Sequence, residues 1–569
     1  MPLHPRPRRA WRIHPLAPRA FFDTLAAYPP LVAQVLYNRG VRSLAHAGSF
    51  LDPDPPAADH ALLIPGADAA IARIARAVRA RETVAVYGDF DADGITSAAI
   101  LTLALRGLGI EPLPYIPARI AEGHGLNPDA VRLLHSRGVT LIITADCGIT
   151  NVAEAALAAD LGIDLVITDH HTPPAHLPQA AAVVAPKLPG ADAALAPLAS
   201  CGVAYLLCQA LAASLAAPFD ESLLELVALG TIADVSPITG ENRSLVQQGL
   251  AYLNRSQRPG IRALMRVAGV EPGHVDAEAI GFALAPRINA PGRMDHANPA
   301  YLLLTATTDA QAEPLARELD QRNAERRGAT EAITAAVRQR LAGRESLPPL
   351  LFLGGADFPP GVVGLAAGRL ADEFARPAVV FHQGLEESRG SCRSIPDFNI
   401  IEALRQCDGL FTRYGGHAQA AGFVIPTSRL PELEERLVAV AAAQLAGLDL
   451  TPSLAIDAQV RLERITGDVL RGMARLSPHG PGNPVPSFVA RAAELRDVRS
   501  MGTDGRHLRM NVRAGNVTWP AVAFNAPLAA ASAPAHADIV FTLAADRWNG
   551  RDSVRLNVLD LAPPAPPAL

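Results

Sequence analysis

Val84-Ala-Val-Tyr-Gly-Asp-Phe-Asp-Ala-Asp-Gly94 runs a β-branched apolar segment straight into three aspartates spaced two apart. The same grammar returns twice. Leu141–Thr144 (LIIT) is followed by Ala145-Asp146-Cys147-Gly148, and Leu165–Thr168 (LVIT) by Asp169-His170-His171. Between these runs lie amphipathic stretches of helical period, Ile95–Arg106 and Val152–Asp160. Continuous apolar runs that alternate with helices predict parallel strands buried on both faces, hence an α/β sheet. Open sheets of this kind bind ligands beyond the carboxyl ends of their strands. Each of the three strands here ends in a carboxylate or an imidazole, so their chemistry converges on one edge.

In extended chain, Asp89, Asp91 and Asp93 would share one side. Three adjacent carboxylates raise one another's pKa unless a cation neutralises them, so a divalent metal is the natural occupant. An EF-hand is excluded, because the twelfth position counted from Asp89 is Ile100 and a strand precedes the loop. Asp234, in Gly230-Thr-Ile-Ala-Asp-Val-Ser-Pro237, is expected to fold back onto the same edge. An oxygen-rich set with some nitrogen suits Mn²⁺ or Mg²⁺ better than thiolate-bound zinc. The carboxylates suffice for two ions about 3.5–4 Å apart, able to activate a water and stabilise a leaving oxygen on phosphorus. Adjacent strand residues diverge, so His170 is assigned as a ligand and His171 as a phosphate contact or proton donor. Asp169 could orient a histidine ring.

The whole chain has 569 residues, 49% hydrophobic and 19% charged, with a formal charge of −5. That length allows several domains with real cores and excludes wholesale disorder. The weak net charge also excludes a globally cationic nucleic-acid coat, so a polyanion must meet a local patch. Only one of the 51 Lys and Arg residues is a lysine, Lys187, which reads as base composition rather than a binding code. Five scattered cysteines without a CxxC pair fit a reducing compartment. Met1–Arg12 carries Arg6, Arg8, Arg9 and Arg12 without an apolar signal core, so a cytoplasmic protein with a basic arm is expected. The apolar run Cys201–Phe219 reads as a buried helix, not a membrane span.

Further along, Gln311–Glu345 is a highly charged helical segment suited to linking two lobes. A second α/β pattern follows, through Leu350–Gly355, Val363–Phe374 and Ala378–Phe381. From about Pro452 short alternating runs, His507–Val512, Thr518–Phe524 and Val554–Leu561, suggest a small antiparallel barrel.

Taken with Gly88–Gly94 (GDFDADG), Glu122–Asn127 (EGHGLN), Thr144–Ile149 (TADCGI), Arg287–Asp295 (RINAPGRMD), Leu319–Arg327, Gly415–Phe423 (GGHAQAAGF) and Ser477–Phe488, the Asp169-His170-His171 motif resembles the DHH phosphoesterase superfamily. Within it the chain resembles, over nearly its full length, the RecJ family of single-stranded-DNA-specific 5′ to 3′ exonucleases. The resemblance implies two α/β lobes, a DHH parallel sheet and a DHHA1 domain, joined by a long helix and followed by an OB-like β-barrel. The implied boundaries are 1–70 for an N-terminal arm and helical segment, 71–309 for the DHH domain, 310–345 for the connecting helix, 346–446 for DHHA1, 447–561 for the barrel and 562–569 for a disordered tail.

By the same resemblance Asp91, Asp93, Asp146, His170 and Asp234 are metal ligands, with Asp89 directly beside them, and His171 and Asp169 are catalytic. Ser391, Arg393, Ser394, Gly415, Gly416 and His417, helped by Arg287, Asn289 and Arg293, are expected to bind substrate phosphate. Arg506, His507, Arg509, Trp519, Phe524, Trp548 and Arg551 are the barrel's candidate DNA contacts. The expected partners are single-stranded DNA, a single-strand-binding protein and a RecQ-type helicase, in recombination and repair and without a membrane. Three positions depart from relatives: Tyr87 replaces a histidine ligand of the manganese pyrophosphatase branch, Phe358-Pro359 a usual Trp-His, and Cys392 a usual glycine. The competing functions are another DHH phosphoesterase acting on nanoRNA, cyclic dinucleotides or pyrophosphate, and a non-catalytic scaffold.

Overall fold

A computed structural model describes residues 9–55, 57–119, 121–342, 346–502, 505, 507–526, 529–546 and 553–564. Arg6 and Arg8 of the expected arm, residues 565–569 of the expected tail, and the barrel candidates Arg506, Trp548 and Arg551 lie outside the described residues.

The first lobe is built on five parallel strands in the order Leu113–Tyr115, Val84–Gly88, Leu141–Ala145, Asp164–Thr168, Ala182–Val184. Successive side chains of a strand face opposite ways. Val84, Val86, Leu141, Ile143 and Val166 accordingly join one core with the helices Ala92–Gly107 and Ser200–Ser214. Ala85, Tyr87, Ile142, Leu165 and Ile167 join another with Pro128–Ser136 and Val152–Asp160. Both faces are covered, which is why the strands carry no polar alternation. Ser200–Ser214 is the buried helix expected there, and among the described residues no helix is long and apolar enough to cross a membrane.

Helix Asp309–Leu341 has 33 residues, about 50 Å at 1.5 Å each. Thr308 Oγ1 accepts from Gln311 N at its start. Ala312, Ala316 and Leu319 belong to the first lobe's core, and Ile333, Val337 and Leu341 to that of the second. The second lobe has a sheet in the order Arg413–His417, Ala420–Pro426, Glu387–Arg393, Ala378–His382, Leu351–Gly355, antiparallel but for the last pair. A methyl group at Gly361 would sit 1.8 Å from the Arg293 carbonyl oxygen, so glycine lets the second lobe abut the first. Met294 packs against the second lobe's core at the same seam.

The C-terminal barrel closes through Ser487–Met501, His507–Ala514, Val517–Ala523, Ser553–Ala562 and His536–Asp546, the last pairing back onto the first. From Ala10 onward the N-terminal segment packs onto the barrel. Ala10–Ile13 pairs in parallel with Ser453–Ile456, and Phe21, Leu25, Val32, Val35 and Leu36 share a core with Phe488, Met510 and Phe541 of the barrel. The first lobe's core begins only at Ala61.

Candidate active site: an acidic sheet edge facing an arginine wall

Strand Val84–Gly88 stops one residue before Asp89, and helix Ala92–Gly107 begins shortly after it. Asp91 is its N-cap, with Oδ1 accepting from Asp93 N and Gly94 N at 3.1 Å each. The three aspartates therefore do not share one side of an extended chain, because the helix turns Asp93 away. Asp93 instead accepts from Ser200 N at 2.8 Å and Cys201 N at 2.9 Å, the first amides of helix Ser200–Ser214. Asp234 caps the C-terminus of Leu224–Ala233 and reaches the same edge, with Oδ2 2.5 Å from Ser236 Oγ. Asp146 has φ +67°, and this left-handed turn after the strand brings its Oδ1 within 2.8 Å of Ser200 Oγ.

These groups form overlapping sets whose ligand atoms lie within 4.8 Å of one another: Asp89, Asp91 and Asp146; Asp93, His170 and Asp234; and Asp146, His170 and His171. His170 Nε2 lies 3.4 Å from Asp146 and 3.9 Å from Asp93. The two histidines do not diverge as strand neighbours would. Strand Asp164–Thr168 has ended before them, and their ring centroids are 4.8 Å apart. Asp169 Oδ1 accepts from His170 N, His171 N and His171 Nδ1 at 2.7, 3.0 and 2.7 Å, and its Oδ2 from Ile149 N at 3.1 Å.

Burial, and then the neighbouring aspartates, push Asp146 well above the carboxylate range. Burial likewise lifts Asp93 and Asp234 to about 6 and raises Asp89. Asp169 is the exception, since its hydrogen bonds from His171 and the backbone outweigh burial and hold it low. For His171 burial opposes the charge, but the Asp169 contact wins and raises its pKa; burial lowers that of His170. Asp89 Oδ1 is buried without a partner among the described residues. Hard oxygen donors that resist ionisation together, one of them orphaned, fit a divalent cation.

Two neighbours of this edge escaped the sequence reading. His124, inside the quoted Glu122–Asn127 block, sets Nδ1 3.3 Å from Asp89 Oδ2 and its ring centroid 5.1 Å from that of His171. Arg119 stacks over Phe90 at 4.7 Å. Only the density of polar and glycine residues in that loop pointed to either.

Of the substrate-binding expectations, Arg293 and Arg393 come together with Arg119. Burial, then the charges of Arg119, Arg326 and Arg393, push Arg293 down to about 9, and burial with Arg119 lowers Arg393 as well. Ser391 Oγ accepts from Arg393 Nη1 at 3.1 Å. Three other side chains are engaged structurally. Arg287 is held by Asp320 and the carbonyls of Ala283 and Val267; Asn289 Oδ1 accepts from Ala92 N at 2.9 Å; Ser394 Oγ donates to Phe398 O. Gly415, Gly416 and His417 lie on an exposed hairpin strand whose Gly415 faces Gly422. Cys392 is buried in the sheet and Phe358 in the second lobe's core. On the barrel Arg509 and Phe524 are exposed and His507 Nδ1 accepts from Asn525 N, but Trp519 packs against the core, opposite Val512.

Family models match the chain over residues 83–231 (DHH family, N-terminal domain), 347–446 (DHHA1 domain) and 456–560 (RecJ OB domain). The single-stranded-DNA-specific exonuclease RecJ of Bacillus subtilis is 37% identical over 539 residues, covering 94% of this chain and 68% of the relative. RecJ from Thermus thermophilus in complex with Mn²⁺ superposes with a TM-score of 0.84 at 32% identity, covering 98% of this chain and 80% of that one. The same protein in complex with Mg²⁺ gives 0.78 at 30% identity, covering 99% and 79%.

Proposed function

The chain belongs to the RecJ family of single-stranded-DNA-specific exonucleases, and we propose that it removes mononucleotides from the 5′ end of single-stranded DNA, in recombination and repair. It is a metal-dependent nuclease with Mn²⁺ or Mg²⁺ as cofactor. The observation that carries the reading is the convergence of five buried or half-buried aspartates and His170 on one sheet edge, opposite clustered arginines.

Asp89, Asp91 and Asp146 would hold one ion and Asp93, His170 and Asp234 a second. Ions bound there would neutralise phosphate oxygens and lower the pKa of water. Arg293, Arg393 and Arg119 grip the phosphate beside the scissile bond, the guanidinium forks matching its oxygens. Asp169 accepts from His171 Nδ1 and raises the pKa of the ring, so it favours the imidazolium, whose Nε2–H is the proton given to the leaving oxygen. Ser200 and Cys201 hold Asp93 in place through backbone amides. We assign residues 71–309, 346–446 and 447–561 to the DHH, DHHA1 and OB-like units. The enzyme works in the cytoplasm with a single-strand-binding protein and a RecQ-type helicase, because an exonuclease restricted to single strands needs duplex opened for it.

Digestion of matched 5′-labelled and 3′-labelled single strands, with duplex and RNA controls, in EDTA, Mg²⁺ and Mn²⁺ tests this reading. Metal-dependent release of labelled mononucleotide from the 5′ end, with blunt duplex spared, is expected. Release from the 3′ end would overturn the polarity. No cleavage of any strand in Mn²⁺, with pyrophosphate or dinucleotides consumed instead, would overturn the nuclease.

A further inference from the structure

Arg243 sits on helix Gly240–Leu253, whose Leu245, Val246, Leu250 and Leu253 belong to the first lobe's core. It is 1% exposed, and every hydrogen bond it makes goes to a backbone carbonyl. Nε donates to Phe50 O at 2.6 Å, Nη1 to Leu476 O and Pro478 O at 3.0 Å each, and Nη2 to Arg475 O at 3.2 Å and Ser477 O at 2.9 Å. A guanidinium has five N–H groups, and all five are used. Its Cζ also lies 4.3 Å from the Phe50 ring centroid. The four carbonyls of residues 475–478 follow helix Gly467–Ala474, so they stand at the negative end of that helix dipole.

All these acceptors belong to the unit formed by the N-terminal helices and the barrel, whereas the arginine belongs to the catalytic lobe. The adjacent Asn242 grips the other way. Its Nδ2 donates to Pro197 O at 2.6 Å and Pro237 O at 3.0 Å, and its Oδ1 accepts from Ala199 N at 3.4 Å. Pro197–Ala199 leads into Ser200 and Cys201, which hold Asp93, and Pro237 lies three residues beyond Asp234. Nearby, Ile238 N donates to Pro481 O at 2.7 Å and Ser244 Oγ to Asp54 O at 2.6 Å. One turn of helix thus joins the scaffold of the metal edge to the barrel unit.

We propose that Arg243 is a positioning residue for the exonuclease reaction: it fixes the barrel unit in register with the metal edge, so that a strand held by the barrel reaches the cleft at a set distance. This rests on the single-stranded-DNA exonuclease reading given above. A lysine keeps the charge but offers three donors for five carbonyls, so the role is specific to arginine.

The test uses the full chain with Arg243→Met and Arg243→Lys, and Gly480→Val from the opposite side of the seam. A Cβ at Gly480 would lie 2.6 Å from Ile238 Cγ1, so valine there wedges the junction against the border of the first lobe's core. Cleavage is measured on single strands of about 4 nucleotides, too short to reach the barrel, and of about 40 nucleotides. In the folded Arg243→Met and Gly480→Val variants kcat/KM on the long strand is expected to fall about tenfold while the short-strand rate stays within about twofold, with Arg243→Lys in between. An unchanged long-to-short ratio in the folded variants would overturn the positioning role, as would equal losses on both strands. A parent that cleaves neither strand would overturn the exonuclease reading, and the positioning role with it.

Discussion

Two walls of one cleft bury like charges, and they do so in different ways. On the sheet edge, Asp89, Asp93 and Asp146 are almost fully buried and repel one another, each delivered by a strand end or the first turn of a helix. Opposite, Arg119, Arg293, Arg326 and Arg393 come from a loop, a helix end, the long connecting helix and a strand of the second lobe. Asp91 favours the charge on Arg293, but the walls do not saturate each other: Asp89 Oδ1 and Arg326 Nε both lack partners among the described residues. An uncompensated buried charge is costly. Each wall therefore matches a missing component of opposite sign, divalent cations for the carboxylates and phosphate for the guanidiniums. The acidic wall is preformed within one lobe, whereas the basic wall gains Arg393 only while the two lobes are held together.

Breaking the acidic wall should have the largest effect. Asp146→Ala is expected to lower single-strand cleavage by about 10³-fold, about 4 kcal/mol of transition-state stabilisation, with circular dichroism unchanged. A parent-like rate would remove Asp146 from the metal edge. His171→Asn, which keeps hydrogen bonding but cannot donate an acidic proton, should cost about 10²-fold in kcat at nearly unchanged KM. If KM moved instead, His171 would belong with the phosphate contacts.

The basic wall should fail more gently. Arg393→Ala is expected to raise KM for single-stranded DNA about tenfold to a hundredfold, the range of one or two charge-assisted hydrogen bonds, with Mn²⁺ affinity unaltered. Equal damage to metal binding would show that the two walls are not separable. The smallest effect is thermal. In EDTA, inorganic phosphate at about 10 times its Kd should stabilise the parent by roughly 1.4 kcal/mol, and this shift should vanish in Arg393→Ala.

The difference between the walls also explains what the sequence could reveal. Strands at Val84, Leu141 and Asp164 are apolar on both faces, so their existence, direction and acidic ends were legible locally. The local bend was not. Asp91 caps a helix beginning at Ala92 and His171 lies past the end of its strand, both of which override period-two reasoning. The arginine wall has no local signature because its members meet only in three dimensions: Arg119 stands in no motif of its own, and Arg287, expected among the phosphate contacts, is tied to Asp320. The pairing of Ala10–Ile13 with Ser453–Ile456 was hidden for the same reason, as was the inward packing of Trp519.

The most direct test of the divided acidic edge is a Mn²⁺ titration of EDTA-stripped protein, followed by electron paramagnetic resonance of free Mn²⁺. The account predicts two ions per chain, reduced to one in Asp234→Ala. A single site that Asp234→Ala leaves intact would contradict it.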